Sequence, residues 1–338
     1  MKKYLLLLLF VPKILFSNTY FTYTVERSDS IESIANEFNV EEYTLIEING
    51  VADQEYLYEG QSLMIPIKYS YNKPLVNNLT DILNNSVTNW RNPVFEVYQW
   101  DKNQQILVFD TINYSFQALM FKRLAFFVEK KDFIGSIYTL DEIEGENGWN
   151  GHDYAAWDLA RFFNKVNFEG HTMTRGEEIL LDIILRNGII SLTNRGYTPN
   201  KGAVISCSRS SLYNHRRTIL RHEAFHGLFF TSSEFRALVA KVWKGLDYQS
   251  KTIWKMYLEV LDYNSNDEEL AMNEFMAYML QLSEDETYTY LNDIVWFRLW
   301  DFYPEKRDQI NRFFNADSRP FRRQIKELQA YIDKIDIE

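Results

Sequence analysis

The feature that most limits how this chain can fold is the almost unbroken helical periodicity of its C-terminal part. Apolar residues recur there at helical spacing in four successive segments, 211–229, 233–243, 250–263 and 267–282, and an aromatic-rich helical tail follows. Helices of this kind bury their apolar faces by packing on one another or on a sheet. The back half of the chain is therefore predicted to be helical.

The front half carries β signals as well. Two segments, 94–100 and 105–111, alternate at period 2 around Asp101-Lys102-Asn103-Gln104, which predicts a hairpin. Residues 202–208 form another β-rich run, and helical patterns cover three segments, 115–130, 154–166 and 175–187. Strands in front and helices behind predict an α+β domain over residues 93–338, mostly helical with a small sheet.

The first seventeen residues are typical of a secretory signal peptide. Lys2 and Lys3 precede a mostly apolar run, and Lys13 ends that run well short of the roughly 20 residues that span a bilayer. Cleavage is expected at Ser17-Asn18, and an uncleaved membrane anchor is the alternative. The pattern predicts export to the periplasm, the cell envelope or the medium, with no stable membrane span in the mature chain.

The overall charge restricts the possible partners. The formal net charge is −11, and removal of the first seventeen residues, with three lysines and no acid, takes it to about −14. A chain this acidic repels phosphate backbones, so nucleic acid is not an expected partner.

A small domain is predicted over residues 20–67. Residues 22–25 alternate like a short strand, Ser30 can cap a helix that runs to Phe38, residues 40–48 repeat the helical pattern, and residues 63–66 form a closing strand. This order is strand, helix, helix, strand. Residues 68–92 are rich in Asn and Ser with little periodicity, which predicts a linker and a lead-in to the large domain.

Three stretches of the small domain, YTVERSDSIESIANEFNV, EINGV and YEGQSLMIP, resemble a LysM module from end to end. One departure is Ser28, at a position where the family usually has glycine. The resemblance implies binding of N-acetylglucosamine glycans such as peptidoglycan, through the loops Asp29-Ser30-Ile31 and Asn49-Gly50-Val51. The alternative is that these residues only cap helices and form turns, since Asp, Ser, Asn and Gly are what turns require.

The large domain contains a metal-binding pattern, His222-Glu223-Ala224-Phe225-His226, within a predicted helix. Two histidines four residues apart share one helical face and can bind one zinc ion. Glu223 points off that axis and can serve as a general base toward water. The alternative is that both histidines are core residues and that Glu223 is a solvent-facing charge.

Glu274 is the predicted third zinc ligand. It is a lone carboxylate on a small, apolar helical face, where a cation would compensate its charge. Glu268 and Glu269 lie in the first turn of the same helix, where capping accounts for them. His215 lies about 10 Å from His222 along the helix axis, too far to share one ion while the helix is continuous.

Together, HEAFH and NEFMAY resemble gluzincin-type zinc metallopeptidases over roughly residues 200–285. The resemblance implies that an edge strand beside the motif helix pairs with the substrate backbone, and residues 203–208 are the expected strand. It also suggests that Tyr278 stabilises the oxyanion. The alternative for Tyr278 is a core tyrosine with its hydroxyl at the edge of the core.

The expected function is that of an exported zinc peptidase anchored to cell-wall glycan, with a protein or a peptidoglycan stem peptide as substrate. In this interpretation Glu223 takes a proton from water and passes it to the leaving amine. Two alternatives remain open at this point. One is a non-catalytic, zinc-containing envelope protein, and the other is a purely glycan-binding protein whose large domain is a scaffold.

Overall fold

A computed structural model describes residues 20–38, 40–51, 57–146, 148, 150–317 and 319–335. The predicted signal peptide and its cleavage point lie outside these residues. Within the described ranges, no helix is both long enough and apolar enough to cross a membrane.

The small domain has the predicted order of elements. Its four elements are β1 (Tyr20–Thr24), α1 (Ile31–Glu37), α2 (Glu42–Asn49) and β2 (Ser62–Pro66). The two strands pair antiparallel, and their inward side chains pack against buried residues of both helices. Ser30 caps α1, and Ser33 completes a capping box by accepting from the Ser30 backbone N–H.

The large domain contains a five-stranded mixed sheet and a separate hairpin. Its strands are β3 (Leu75–Asn77), β4 (Phe95–Trp100), β5 (Asn103–Thr111), β6 (His152–Ala155), β7 (Ile190–Thr193), β8 (Gly196–Pro199) and β9 (Ala203–Ser208). The order in the main sheet is β3-β4-β5-β9-β6, while β7 and β8 form the hairpin. The predicted 94–111 hairpin is present as antiparallel β4 and β5.

The expectation that residues 203–208 form the edge strand is wrong. β9 pairs with β5 on one side and with β6 on the other, and all six of its residues are buried. An uninterrupted run of mostly apolar residues is typical of a strand that is covered on both faces. β6 is therefore the strand at this border of the described sheet.

Helices make up most of the remaining large domain. They are α3 (Leu79–Asn84), α4 (Tyr114–Val128), α5 (Ala156–Glu169), α6 (Arg175–Arg186), α7 (Tyr213–Thr231), α8 (Ser233–Lys244), α9 (Tyr248–Val260), α10 (Glu268–Leu280), α11 (Glu284–Thr289), α12 (Trp296–Phe302), α13 (Arg307–Ala316) and α14 (Arg322–Ile335). A π-helical segment, Tyr290–Val295, connects α11 to α12. The architecture is α+β, as the sequence predicts.

Much of the segment expected to be a linker is folded into the large domain. β3 pairs with β4, and α3 buries Leu79, Ile82 and Leu83 in the same core as α7. A three-residue strand and a six-residue helix are too short for their periodicity to be visible in the sequence.

A buried charge cluster holds α3 in place. Asp110 is fully buried and accepts from Arg209 Nη2 and Arg216 Nη2, each at 2.6 Å. The same guanidinium groups donate to the carbonyl oxygens of Asn85, at 2.6 Å, and Leu83, at 3.0 Å. Burial raises the pKa of Asp110, and the two arginines oppose that shift.

We expect Asp110→Asn to lower the free energy of unfolding by about 3 kcal/mol, because it leaves the buried Arg216 guanidinium without its counter-charge. Denaturant titration followed by circular dichroism measures this loss. Asp101→Asn, at the exposed hairpin turn, is the matched control and should be nearly neutral. A loss of less than about 0.5 kcal/mol for Asp110→Asn would show that the cluster does not hold α3.

The small domain packs against the large one through aromatic side chains. The rings of Phe21 in β1 and Phe116 in α4 lie 5.9 Å apart at 78°, and Phe116 stacks on Phe95 in β4 at 5.6 Å. These residues belong to one continuous apolar core. The two domains are therefore in direct contact at this surface.

Candidate metal centre

Two helices bring the predicted metal ligands together. α7 is continuous from Tyr213 to Thr231, so His222 and His226 lie one turn apart on one face of it. α10 packs against that face and presents Glu274 from its middle. The side chains of His226 and Glu274 are almost wholly buried, at 1% and 4% exposure, and that of His222 is 12% exposed.

The three side chains point their donor atoms toward one position. His222 Nε2 lies 3.0 Å from His226 Nε2 and 3.5 Å from Glu274 Oε2, and Glu274 Oε1 lies 3.7 Å from His226 Nε2. Ligands at zinc distances of about 2.0–2.1 Å in a tetrahedral arrangement are separated by about 3.3 Å. The observed separations therefore suit one small divalent cation.

Glu274 supplies a further sign of a cation site. Its Oε2 atom is buried and has no hydrogen-bond partner among the described residues. Burial alone would raise the pKa of Glu274, but the neighbouring imidazoles of His226 and His222 outweigh it, and the pKa lies below the usual value. A buried carboxylate oxygen facing two imidazole nitrogens is an arrangement that a metal ion satisfies.

Gln281 fixes the orientation of His222. The Nδ1–H group of His222 donates to Gln281 Oε1 at 2.9 Å, because an amide oxygen only accepts. This leaves the Nε2 lone pair free for a metal, as is usual for metal-binding histidines. Gln281 was not predicted from the sequence, although it follows Glu274 by seven residues and so shares its helical face.

Glu223 lies against the backbone beside the edge strand. Its Oε1 atom is so close to Gly151 that a Cβ added there would lie 2.1 Å away. The residue is 7% exposed, and burial raises its pKa to about 7, while His222 opposes the shift and Glu274 adds to it. A carboxyl with a pKa near neutrality is suited to taking up and releasing a proton.

Asp153 in β6 is a site residue that sequence analysis did not find. One of its carboxylate oxygens lies within 4.8 Å of a Glu223 carboxylate oxygen, and its Oδ2 atom lies 3.8 Å from His226 Nδ1. Burial and the charge of Glu223 raise the pKa of Asp153 well above its usual value. Nothing local in the sequence distinguishes Asp153, since β6 reaches α7 only through the sheet.

The metal centre lies in a cavity of about 430 Å³. Tyr263, Tyr278 and Tyr290 line it, and the ring of Tyr278 packs edge-on against His222 at 4.8 Å between centroids. Arg298 also lines the cavity, and its Nη1 donates to the hydroxyl of Tyr257 at 3.4 Å. Tyr278 thus borders the site, as expected of an oxyanion-stabilising residue or of a packing residue.

The other candidates considered from the sequence have different surroundings. Two groups of side chains could hold a metal ion, His222 with His226 and Glu274, and Asp153 with Glu223 and His226. His215 is exposed in the first turn of the continuous α7 and belongs to neither group. Glu268 pairs with Lys255 and accepts from Trp243 Nε1 at 2.8 Å, and Glu269 pairs with Arg236 at 2.9 Å. These contacts account for both acids without a metal.

The predicted glycan-contacting residues have structural partners within the small domain. Asp29 Oδ2 accepts from the Tyr23 hydroxyl and the Glu26 N–H, both at 2.7 Å, and Ser30 caps α1. The Asn49 side chain bridges α2 to Met64 in β2, by contacts of 2.6 and 2.9 Å.

The remaining members of these loops are Ile31, Gly50 and Val51. Gly50 ends α2 with a φ of 62°, where a side chain would be strained. Val51 is buried and Ile31 is half-buried. Glycan contact at any of the six loop residues stays a prediction.

Comparison with known proteins identifies the small domain. The model of the LysM domain family matches residues 23–66. No curated protein and no solved structure gives a match to the chain. LysM domains are typical of cell-envelope or extracellular proteins and bind N-acetylglucosamine glycans. Residues 23–66 of this protein are therefore a LysM domain, a module that binds peptidoglycan or related glycans.

Proposed function

We propose that this protein is an exported zinc-dependent peptidase that its LysM domain holds at cell-wall glycan. The observation that carries the proposal is the convergence of His222 Nε2, His226 Nε2 and the Glu274 carboxylate within one buried group. Export rests on the signal-like pattern of the first seventeen residues. A LysM domain in the same chain supports a substrate in the cell envelope.

The donor set favours zinc over other common divalent ions. Two imidazole nitrogens and one carboxylate are the ligand types of many catalytic zinc sites, whereas calcium and magnesium prefer oxygen ligands alone. A zinc ion held there supplies Lewis-acid chemistry, which activates water and polarises a carbonyl group. In the neutral imidazole of His222, the hydrogen bond to Gln281 keeps the proton on Nδ1 and leaves Nε2 as the ligand nitrogen.

The remaining steps belong to side chains and backbone of this chain. Glu223, which lines the cavity, is the proposed acceptor of a proton from water and returns it to the leaving amine. The outer edge of β6 is the surface on which an extended peptide adds as a strand, because β6 pairs only with β9 in the described sheet. The Tyr278 hydroxyl is the proposed donor to the developing oxyanion.

Removal and return of the metal tests this proposal. The purified protein is incubated with a library of short peptides, including peptidoglycan stem peptides, and cleavage is followed by mass spectrometry. We expect cleavage to stop after treatment with EDTA and to return with one equivalent of zinc. Cleavage that persists in fully chelated, zinc-free protein would contradict a zinc-dependent mechanism.

The close approach of Gly151 to Glu223 gives a second test. We expect Gly151→Ala to lower peptide turnover about 100-fold, because the new methyl group displaces the Glu223 carboxylate by an ångström or more. Zinc content should be unchanged, since the atoms nearest to the added Cβ belong to Glu223 and Ile219 and not to a predicted ligand. Gly145→Ala is the control, because its added Cβ meets nothing within 4 Å. Full activity of Gly151→Ala would show that the position of Glu223 is not important for turnover.

A further inference from the structure

Two carboxylates in the cavity, those of Asp153 and Glu129, have no role in the proposed mechanism. The cavity is lined by four acids, Glu129, Asp153, Glu223 and Glu274, and Arg298 is the only Lys or Arg among its described lining residues. Glu274 and Glu223 together balance the charge of a divalent ion, and Asp153 belongs with Glu223 and His226 to a group of potential metal ligands. This accounts for every acid except Glu129.

Glu129 follows the last turn of α4 and faces the cavity without a counter-charge. The described part of the chain offers its carboxylate neither a hydrogen bond nor an ion pair, and its neighbour Lys130 pairs with Asp262 at 3.1 Å. Glu129 also lies outside both groups of potential metal ligands. A cationic group of a bound molecule therefore suits Glu129 better than a second metal ion does.

A second observation points to a ligand in the same cavity. Glu223 is only 7% exposed, and its Oε2 atom has no hydrogen-bond partner among the residues described. Three tyrosine rings, of Tyr263, Tyr278 and Tyr290, also line the space. An unpaired carboxylate in a cavity that tyrosine side chains line is a favourable environment for an ammonium group, through charge-assisted hydrogen bonds.

We infer that the cavity binds peptides that carry a primary ammonium group, which the Glu129 carboxylate receives. This inference rests on the proposed function, because it assigns a substrate class to the same site. The ammonium group belongs to a lysine-like side chain or to a free amino terminus. Either source presents three N–H donors to the carboxylate.

Calorimetric titration with matched peptide pairs tests the inference. One pair is acetyl-Ala-Lys-Ala-amide and its norleucine counterpart, and the other is Ala-Ala-Ala-amide with a free or an acetylated amino terminus. The full chain is first treated with EDTA so that cleavage cannot interfere. We expect at least one ammonium peptide to bind about tenfold more tightly than its neutral partner.

Two variants test whether the preference for ammonium peptides depends on Glu129. The isosteric Glu129→Gln should reduce the ratio of the two affinities to within about twofold. Asp293→Asn, which removes the same charge from an exposed position outside the cavity lining, should leave the ratio unchanged. Equal or absent binding of both members of each pair to the unaltered protein would overturn the inference, and so would a preference that survives Glu129→Gln.

The result of the calorimetric titration does not depend on peptidase activity. If the ammonium preference is found and the zinc-loaded protein cleaves no peptide, the ammonium subsite stands and the proposed peptidase function fails. If cleavage is found without any preference, the peptidase function stands and the Glu129 subsite fails.

Discussion

Replacing Glu223 by glutamine is expected to lower peptide turnover by about 10²–10⁴-fold while zinc stays bound. Glutamine keeps the shape of the side chain but cannot accept the proton from water. The three predicted zinc ligands are His222, His226 and Glu274. Replacing Glu223 leaves all three in place. Single-turnover assays on zinc-loaded protein, together with zinc analysis by mass spectrometry, measure both properties.

The control for this variant is Glu269→Gln, at the exposed start of α10. This substitution removes an ion pair with Arg236, away from the site. Its turnover should match that of the unaltered protein. Glu223→Gln protein that folds, binds zinc and turns over peptide at the normal rate would remove Glu223 from the mechanism.

Replacing Glu274 by alanine is expected to weaken zinc binding by more than about 100-fold. Loss of a residue that only orients a metal ligand weakens binding 10–100-fold, and loss of a ligand itself removes more. The variant should therefore lose its metal to a mild chelator that leaves the unaltered protein loaded. Glu274 is 3% exposed, so thermal denaturation is recorded in parallel to establish that the variant is folded.

Glu268→Ala is the matched control for this second variant, because Glu268 lies on the same helix and pairs with Lys255 rather than with the site. It should keep its zinc. If Glu274→Ala retains zinc and His215→Ala releases it, then the third ligand is His215, and α7 cannot be the continuous helix described above.

The parts of this protein that could be predicted from sequence are those whose signals are local. The order of elements in the small domain was predicted from a cap and from alternation within 45 consecutive residues. Its LysM assignment came from the resemblance of three stretches to that family, and the family match covers residues 23–66. The histidine pair was found because helical spacing alone places His222 and His226 on one face. Glu274 lies beside them across a helix packing contact, as its position on an apolar face predicts.

Residues that reach the site through the tertiary fold gave no such signal. Asp153 and Gly151 lie about seventy residues before Glu223, and only the pairing of β6 with β9 brings them to α7. Glu129 enters the cavity from the end of α4. A single sequence contains no information about these contacts, because each depends on how the sheet is ordered.

The sheet itself was the least predictable part. β9 was expected at an edge because it precedes the motif helix, yet β6 occupies that position by pairing antiparallel with it. β3 and α3 are too short to show periodicity, and the arginines that hold α3 are far away in sequence. Short elements of this kind are stabilised by tertiary contacts rather than by their own propensities.

Metal analysis of the purified protein tests the central claim most directly. The account predicts one zinc ion per chain, retained through gel filtration and lost in the His222→Ala, His226→Ala and Glu274→Ala variants. Protein that is folded, binds peptidoglycan and contains no zinc even after incubation with the metal would contradict it.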